Sequence, residues 1–475
     1  MSAVKHVAAV DLGAESGRVI LGHFDGNRLE SEEVHRFANG ARQTDGALRW
    51  DVARIWSGIR TGLNMAAARV DRLASVGVDA WGLDYALLDQ QGALVDDPVS
   101  HRDLRVEGAL DQAVRTVGAE RLYDATGTQL MDVNTVYQLL AERRTPRGRV
   151  RQDGAATLLM IPDLFHYLLS GTAVVEHTVA TTSGAYDIRS RRWATGLLDE
   201  LGIPTASLPE IVDPGTDLGP LLPGLIGSPA LAGTRVITPA GHDTASAVVG
   251  AGLVDASAAY ISSGTWSLVG VETRQPVLGA AARTANLSNE GGVEGTVRLL
   301  RNVMGMWILQ ECRRQWAREG NELAYGDLVT LASQAPPERS VIDPDDPVFA
   351  GPGDMPERIR SYCREHGEPV PDSVGEVTRC VLESLALRYG KVLGDLAAAT
   401  GRPAPLVQVI GGGSRNQLLN EMTARAAGIP VHAGPVEAAS DGNILVQLAA
   451  LGELNGLDQM REVSRRSNRT VVHLP

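Results

Sequence analysis

At 475 residues the chain is too long for one core and is expected to form two or three domains. Apolar content of 44% and charged content of 21% are ordinary for a soluble globular protein, and a net charge of −13 argues against nucleic acid or an anionic membrane as the main partner. The three scattered cysteines, Cys312, Cys363 and Cys380, show no metal-binding spacing and fit a reducing compartment; with no signal peptide or membrane-length apolar run, the expected location is cytoplasmic.

Residues 7–10 read as a buried strand, the DLGAESGR segment at 11–18 as a tight turn, and 19–22 as a second strand. That is a β-hairpin and not the strand-to-helix entry of a Rossmann fingerprint. Small residues at its tip let backbone amides point at phosphate oxygens, and Asp11 at the strand end could orient a hydrated Mg²⁺. A helix is predicted over 53–70, with Ile55, Ile59, Leu63 and Ala66 on one face. A strand over 73–78 ends in DAWGLD, residues 79–84, where the Trp81 indole and the flanking carboxylates suit the apolar face and hydroxyl edge of a sugar. Residues 85–88 resume a strand, and an apolar run at 158–161 leads through Pro162-Asp163 into a predicted helix over 164–169.

A strand-like run over 236–240 then delivers Gly241-His242-Asp243-Thr244. A carboxylate after a strand is most often a turn residue or helix N-cap, but among small neighbours it is also how a general base is offered to a sugar hydroxyl. Residues 258–262, the turn Ser263-Gly264-Thr265 and residues 266–271 echo the opening hairpin. RNVMGMWILQ at 301–310 is predicted helical, which would set Asn302 and Gln310 within about 80° of each other. The stretch 333–372, rich in Pro, Gly and Asp, is predicted to be loop. An amphipathic helix over 377–398 is followed by a strand over 406–410, whose exit, Gly411-Gly412-Gly413, lets backbone approach a flat or anionic ligand. A helix over 416–427 ends at Gly428. The repeated hairpin suggests a duplicated α/β domain, divided as 1–247 and 248–475. The only lysines, Lys5 and Lys391, lie in neither a GxxxxGK[ST] loop nor a VAIK strand, which excludes P-loop and protein-kinase architectures.

Taken in order, the segments resemble the FGGY family of carbohydrate kinases over nearly the whole chain. They are DLGAESGR from Asp11, RWD from Arg49, DAWGLDYALLDQQG from Asp79, HDTASAV from His242, YISSGTWSLVG from Tyr260, NLSNEGGVEG from Asn286, RNVMGMWILQ from Arg301, IGGGSRNQLLN from Ile410 and AGPVEAASDGNI from Ala433. The resemblance implies an α/β fold of two RNase H-like domains, of the actin and hexokinase type, around a catalytic cleft. It implies Asp243 as catalytic base and Trp81, Gly82, His242, Asp243, Thr244 and Asn302 as ketose contacts. It also implies ATP held by the turn Ala14, Glu15, Ser16, Gly17 and Arg18, by Thr265 and Gln310, and by Gly411, Gly412 and Gly413, with Mg²⁺ on Asp11 through water. Two positions depart from the family pattern: Glu15 stands where a small hydroxyl residue is usual, and Ala80 where a Thr is common. The implied reaction is Mg·ATP-dependent phosphorylation of L-rhamnulose at O1 by a monomer or weak homodimer. The rival readings are a family kinase for another ketose, such as L-fuculose or D-xylulose, and a non-catalytic ATP-binding sugar sensor, against which Asp243 argues.

Overall fold

The opening hairpin forms where its pattern places it: Lys5–Leu12 pairs antiparallel with Ser16–Phe24, and Ser16–Phe24 with Leu29–Ala38. The computed structural model describes residues 4–255 and 257–475. The chain divides into two compact units. The first contains the chain up to Val254, Thr273–Leu299 and Ala438–Ser467; the second contains Asp255–Glu272, Leu300–Glu437 and Asn468–Pro475. Among the described residues no helix is long and apolar enough to cross a membrane.

The first unit is built on a six-stranded sheet in the order Asp217–Pro220, Arg235–Ile237, Ser75–Ala80, Lys5–Leu12, Ser16–Phe24, Leu29–Ala38. Lys5–Leu12 runs parallel to Ser75–Ala80, which is parallel to Arg235–Ile237. Val7, Ala8, Ala9 and Val10 are fully buried, as a strand covered on both faces requires. The helix Val52–Ala67 begins at Asp51, whose carboxylate accepts from Arg54 N–H at 2.9 Å, and lays Ile55, Ile59, Leu63 and Ala66 into the core.

The expected single cut at 247/248 treats each half as continuous, whereas the units are interleaved. The physical reason is a helix pair. Asp243–Gly250 packs so closely on Ala438–Ala450 that a Cβ on Gly250 would lie 2.0 Å from Ala438 O, and one on Gly442 1.8 Å from Ser246 O. The later helix also reaches the central strands: Gln447 Nε2 donates to Ala8 O at 3.0 Å, and Ser75 Oγ donates to Gln447 Oε1 at 2.7 Å.

The second unit repeats the plan. Its strands lie in the order Val297–Met304, Trp266–Thr273, Ala259–Ser263, Val407–Ile410, Val431–Ala433, Val471–His473, the chain passing from the first unit to the second along Val297–Met304. Ala259–Ser263 is antiparallel to Trp266–Thr273 and parallel to Val407–Ile410, and Val471–His473 is an antiparallel outer strand. The second sheet has a seventh strand, Ser288–Gly291, beside Val297–Met304; leaving it and the one antiparallel outer strand of each sheet aside, both sheets, numbered within each unit, read 3-2-1-4-5. The hairpin echo in the sequence is therefore a duplicated topology.

Two expected elements differ. Asn302 lies on the strand Val297–Met304, not on a helix; the helix starts at Trp307 and runs to Arg318. The run VRLLRNVM is short and apolar enough for either state. Gly305 ends it where the backbone closes on the neighbouring strand, since a Cβ there would sit 2.7 Å from the Trp266 carbonyl carbon. Within 333–372, Met355–His366 is a helix capped by Asp354, whose carboxylate accepts from Glu357 N–H at 3.1 Å. Its buried Met355, Ile359 and Cys363 recur every four residues, a face hidden in the sequence by flanking Pro and Gly.

Candidate active site

Three adjacent strand ends of the first unit lead to aspartates. Asp11 lies in register with Asp79 on the parallel neighbour and with Arg18 across the hairpin. The segment after Arg235–Ile237 continues beside them: Ala80 N–H donates to Gly241 O at 2.9 Å, and Ala80 bridges to His242. Asp243 follows as the first residue of the helix Asp243–Gly250. It does no capping: His242 holds the N-cap position and no side chain caps the helix. Asp243 Oδ1 instead accepts from Thr244 Oγ1 at 3.1 Å and lies 3.5 Å from His242 Nε2, with 32% of the side chain open to solvent. Loss of water within the protein holds the Asp243 carboxyl above its ordinary value; the charge of Asp11 adds to this and His242 opposes it.

Asp79 is fully buried, and burial, then the charge of Asp11, pushes its carboxyl well above the ordinary range. Asn443 Nδ2 donates to its Oδ2 at 2.6 Å, and its Oδ1 has no hydrogen-bond partner among the described residues. A proton on Asp79 would relieve the repulsion in this cluster of carboxyls. Asp11 Oδ2 accepts from Arg18 and from Ser440 Oγ, the latter at 2.9 Å.

His242 is buried between this cluster and an ion pair. Its Nδ1 lies 3.1 Å from Arg298 Nη2 and 3.3 Å from Glu290 Oε2. Arg298 is completely buried; its Nε donates to Gly291 O at 2.8 Å and its Nη2 to Glu290 Oε2 at 3.2 Å. Burial pushes the Glu290 carboxyl upward, but the hydrogen bond from His242 and the Arg298 charge outweigh it and hold Glu290 below its ordinary value.

Trp81 and Gly82 belong to a loop that is organised from below. Asp84, with no exposure, accepts from Trp50 Nε1 at 2.7 Å, Trp81 Nε1 at 2.9 Å, His101 Nδ1 at 3.0 Å and Gln138 Nε2 at 3.2 Å. Burial raises this carboxyl, yet the His101 charge and hydrogen bond, with the two indole donors, bring it below the ordinary range. The Trp81 ring packs on Trp50 with centroids 4.2 Å apart. A Cβ on Gly82 would meet Thr182 Oγ1 at 2.7 Å, and the next residue, Leu83, takes φ +77°. That left-handed leucine is held by Leu83 N–H on Thr182 Oγ1 at 3.2 Å and by its carbonyl accepting from Thr135 Oγ1 at 2.5 Å.

The turn from Ala14 to Arg18 is closed by Gly13 N–H on Ser16 O at 3.0 Å and tied to the third strand by Asn39 N–H on Glu15 O at 2.9 Å. Glu15 is exposed. Gly17 is demanded by the sheet itself, since a Cβ there would lie 2.4 Å from the Phe37 ring.

In the second unit the turn Ser263-Gly264-Thr265, Gln310 and the glycine loop come together. Gln310 Nε2 donates to Thr265 Oγ1 at 3.4 Å, and Trp307 N–H donates to Thr265 O at 3.1 Å, so the helix Trp307–Arg318 starts against the turn. Gln310 Oε1 is buried with no partner among the described residues. Gly411, at φ +78°, and Gly413 approach Ser263; a Cβ on Gly413 would fall 2.0 Å from Ser263 Oγ. Beside Gly412 that space is open, with nothing within 4 Å. Asn302 lies in this unit, partly buried on its strand.

Sequence reasoning missed Trp50, Gln138, Glu290, Arg298 and Asn443 as parts of these networks, and Glu176, whose Oε2 accepts from Gly241 N–H at 2.8 Å just before His242. Trp50, Glu290 and Asn443 lie inside motifs that the resemblance used, yet no spacing rule links residues so far apart. Glu176 and Arg298 carry one signal, a charged residue within an apolar run.

The model of the FGGY family of carbohydrate kinases matches in both parts, its N-terminal domain over residues 6–250 and its C-terminal domain over 259–451. A rhamnulokinase of Bacteroides thetaiotaomicron is 42% identical over 459 residues, covering 97% of this chain and 93% of that protein. A rhamnulokinase of Pectobacterium carotovorum is 43% identical over 97% of this chain and 91% of its own length. Among solved structures, a ligand-bound xylulose kinase and a gluconate kinase, both from Lactobacillus acidophilus, superpose with TM-scores of 0.80 at 17% identity, covering 99% and 100% of this chain and 94% of each of theirs. At that identity they speak for the fold alone, the two-domain fold of sugar kinases that the duplicated sheet order describes. With both family domains matched and rhamnulokinases alike along almost its whole length, the chain belongs to the FGGY family of carbohydrate kinases.

Proposed function

We propose that the chain transfers the γ-phosphoryl group of ATP to O1 of L-rhamnulose, giving L-rhamnulose 1-phosphate and ADP. The observation that carries the chemistry is Asp243: a partly exposed carboxylate at a helix start with no capping duty, its proton affinity raised, and His242 beside it. The sugar is taken from the relatives, which are rhamnulokinases at about the same identity across nearly the full chain.

Phosphoryl transfer passes through a loose transition state, so positioning and charge stabilisation dominate. Asp243 orients the ketose hydroxyl and takes its proton late, once bond formation has acidified it. A carboxyl with raised proton affinity accepts that proton more readily. His242, Thr244, Trp81 and Gly82 are assigned to the ketose with Asp243, and the family resemblance assigns Asn302 to the ketose as well. Thr265, Gln310 and Gly411 to Gly413 are assigned to the nucleotide. The open space beside Gly412 and the unpartnered Gln310 Oε1 support that assignment. The Ala14 to Arg18 turn, Glu15 included, is assigned to phosphate.

Carboxylate oxygens suit a hard cation, and Asp11 is assigned to Mg²⁺ through water. Bound there, Mg²⁺ would neutralise phosphate charge.

Incubation with Mg·ATP and each of L-rhamnulose, L-fuculose, D-xylulose and glycerol, read by phosphorus NMR, tests the reading. Phosphomonoester should form fastest from L-rhamnulose. Turnover of another acceptor alone would replace the substrate, and turnover of none would favour a sensor.

A further inference from the structure

We propose that Glu176 is a positioning residue for phosphoryl transfer: its buried carboxylate holds the Gly241-His242 segment, and through it the Asp243 carboxylate, and its charge is what makes the hold. This rests on the reading of Asp243 as the base.

Four donors converge on the two oxygens of Glu176. Oε1 accepts from Thr178 N–H at 2.9 Å. Oε2 accepts from Thr178 Oγ1 at 2.6 Å, from Val179 N–H at 3.2 Å and from Gly241 N–H at 2.8 Å. The Thr178 hydroxyl in turn accepts from His242 N–H at 3.1 Å. The two peptide N–H groups immediately before Asp243 are therefore both held, one by Glu176 directly and one through Thr178. Only an ionised carboxylate accepts from four donors without offering a proton of its own.

Glu176 has no exposure, and no cation is among its hydrogen-bond donors. An uncompensated buried carboxylate is costly, and a neutral amide oxygen could accept at the same turn with a smaller desolvation penalty. A site that keeps the charge keeps it for a task that an amide cannot do. The groups around it are Asp163, whose Oδ1 accepts Glu176 N–H at 3.1 Å; His166 on the same helix as Asp163; His177 beside it; Tyr186; Asp213 beyond the strand Ile211–Val212 that pairs with Val175–Glu176, with Arg191 held in an ion pair by that Asp213; and His242. Glu290 and Arg298 lie behind His242. None places a compensating cation on the carboxylate: burial lowers His166 to about 3 and His177 to about 4. Burial raises Glu176 itself to about 7, with its four donors opposing. Protonation near neutral pH would thus turn one acceptor oxygen into a donor facing N–H groups, and release the segment.

Glu176→Gln tests this, with Glu176→Asp, Thr178→Val and Asp243→Asn for comparison, each measured for kcat, both KM values and the pH dependence of kcat/KM. Glu176→Gln should lower kcat about 10- to 100-fold, leave KM for ATP within about twofold, and remove the acid limb near pH 7. Glu176→Asp should regain part of kcat and keep a limb. Thr178→Val should lose about tenfold in kcat while keeping the limb. A lowered active fraction alone would cut kcat and leave the pH profile untouched. If Glu176→Gln is insoluble, the Asp and Val variants decide: wild-type kcat in both would overturn the proposal. A wild-type limb in a folded Glu176→Gln, with Asp243→Asn inactive, would overturn it and leave the base standing. An active Asp243→Asn would instead remove the base.

Discussion

His242 Nε2 stands 3.5 Å from Asp243 Oδ1 while its Nδ1 faces Glu290 Oε2 at 3.3 Å and Arg298 Nη2 at 3.1 Å. One imidazole thus joins a partly exposed carboxylate to a fully buried ion pair. Its orientation is fixed from the protein side, so the freedom left in the pair lies with Asp243.

Asp243→Asn should therefore keep the fold and both KM values within about threefold, and lower kcat by about 10²–10⁴. An amide retains the Thr244 hydrogen bond but takes no proton. Steady-state kinetics with ATP and L-rhamnulose check it; a variant retaining most of its kcat would rule out base catalysis by this residue.

The glycines of the two turns are not equivalent. Gly17 is fixed by Phe37 and Gly413 by Ser263, so a side chain at either strains the protein before any ligand arrives. Gly412 faces open space. Gly412→Val should leave the melting temperature near wild type and raise KM for ATP about tenfold or more, with ketose KM unchanged. Gly17→Val should lose about 1–3 kcal/mol of stability through overpacking. Thermal melts paired with nucleotide titration separate the two, and an unaltered ATP affinity in Gly412→Val would move the nucleotide away from this loop.

Local patterns carried the hairpins, the helix Val52–Ala67 and the helix Gln417–Ala427, because each rests on periodicity and caps within one segment. The placement of Asp243 shortly after a strand was legible for the same reason: an apolar run, a carboxylate and small residues follow one another. What escaped was whatever depends on pairing across the chain. RNVMGMWILQ reads as a helix through Asn302 because its first residues have no decisive period, and only the neighbours of Val297–Met304 in the sheet decide for a strand there. The interleaving of the units depends on Gly250 meeting Ala438, and the hold on Gly241 depends on a glutamate 65 residues earlier. Neither leaves a trace in local spacing.

His166 offers a stability test with a defined sign. The ring is completely buried and its Nε2 accepts from Val78 N–H at 2.9 Å, so the folded form holds it neutral, and burial lowers its pKa to about 3. The unfolded chain takes up a proton as pH falls below 6.5 while the folded chain refuses it down to about 3, so this contribution is full above 6.5 and is lost across that window. His166→Gln keeps an acceptor and does not titrate. Between pH 6.5 and 4.5 the wild type should lose about 2–3 kcal/mol relative to the variant. Urea denaturation at the two pH values measures it, and a pH-independent difference would show that the proton is taken up elsewhere.

The ketose preference should depend on Asp84, though Asp84 itself has no room for a ligand. Its oxygens are filled by Trp50, Trp81, His101 and Gln138, which makes it the point from which the Trp81-Gly82 loop is held. Asp84→Asn turns an NH₂ group toward donors and removes the charge that faces His101. The loop should lose its fixed shape, while the nucleotide loops of the second unit are untouched. In the wild type, kcat/KM should rank L-rhamnulose first, the epimeric L-fuculose next, then D-xylulose, with glycerol rejected most strongly. A site that hydrogen-bonds each hydroxyl leaves its own groups unpaired when one is missing or inverted, which can be worth several powers of ten, whereas a methyl against an apolar wall adds about 1–3 kcal/mol. In Asp84→Asn the L-rhamnulose KM should rise about tenfold, the ratio of L-rhamnulose to L-fuculose should fall toward unity, and KM for ATP should stay within about twofold. Measuring kcat/KM for the four acceptors in both proteins, at one Mg·ATP concentration, decides it. An Asp84→Asn enzyme that keeps the wild-type ratio would mean that discrimination is made by groups outside this loop.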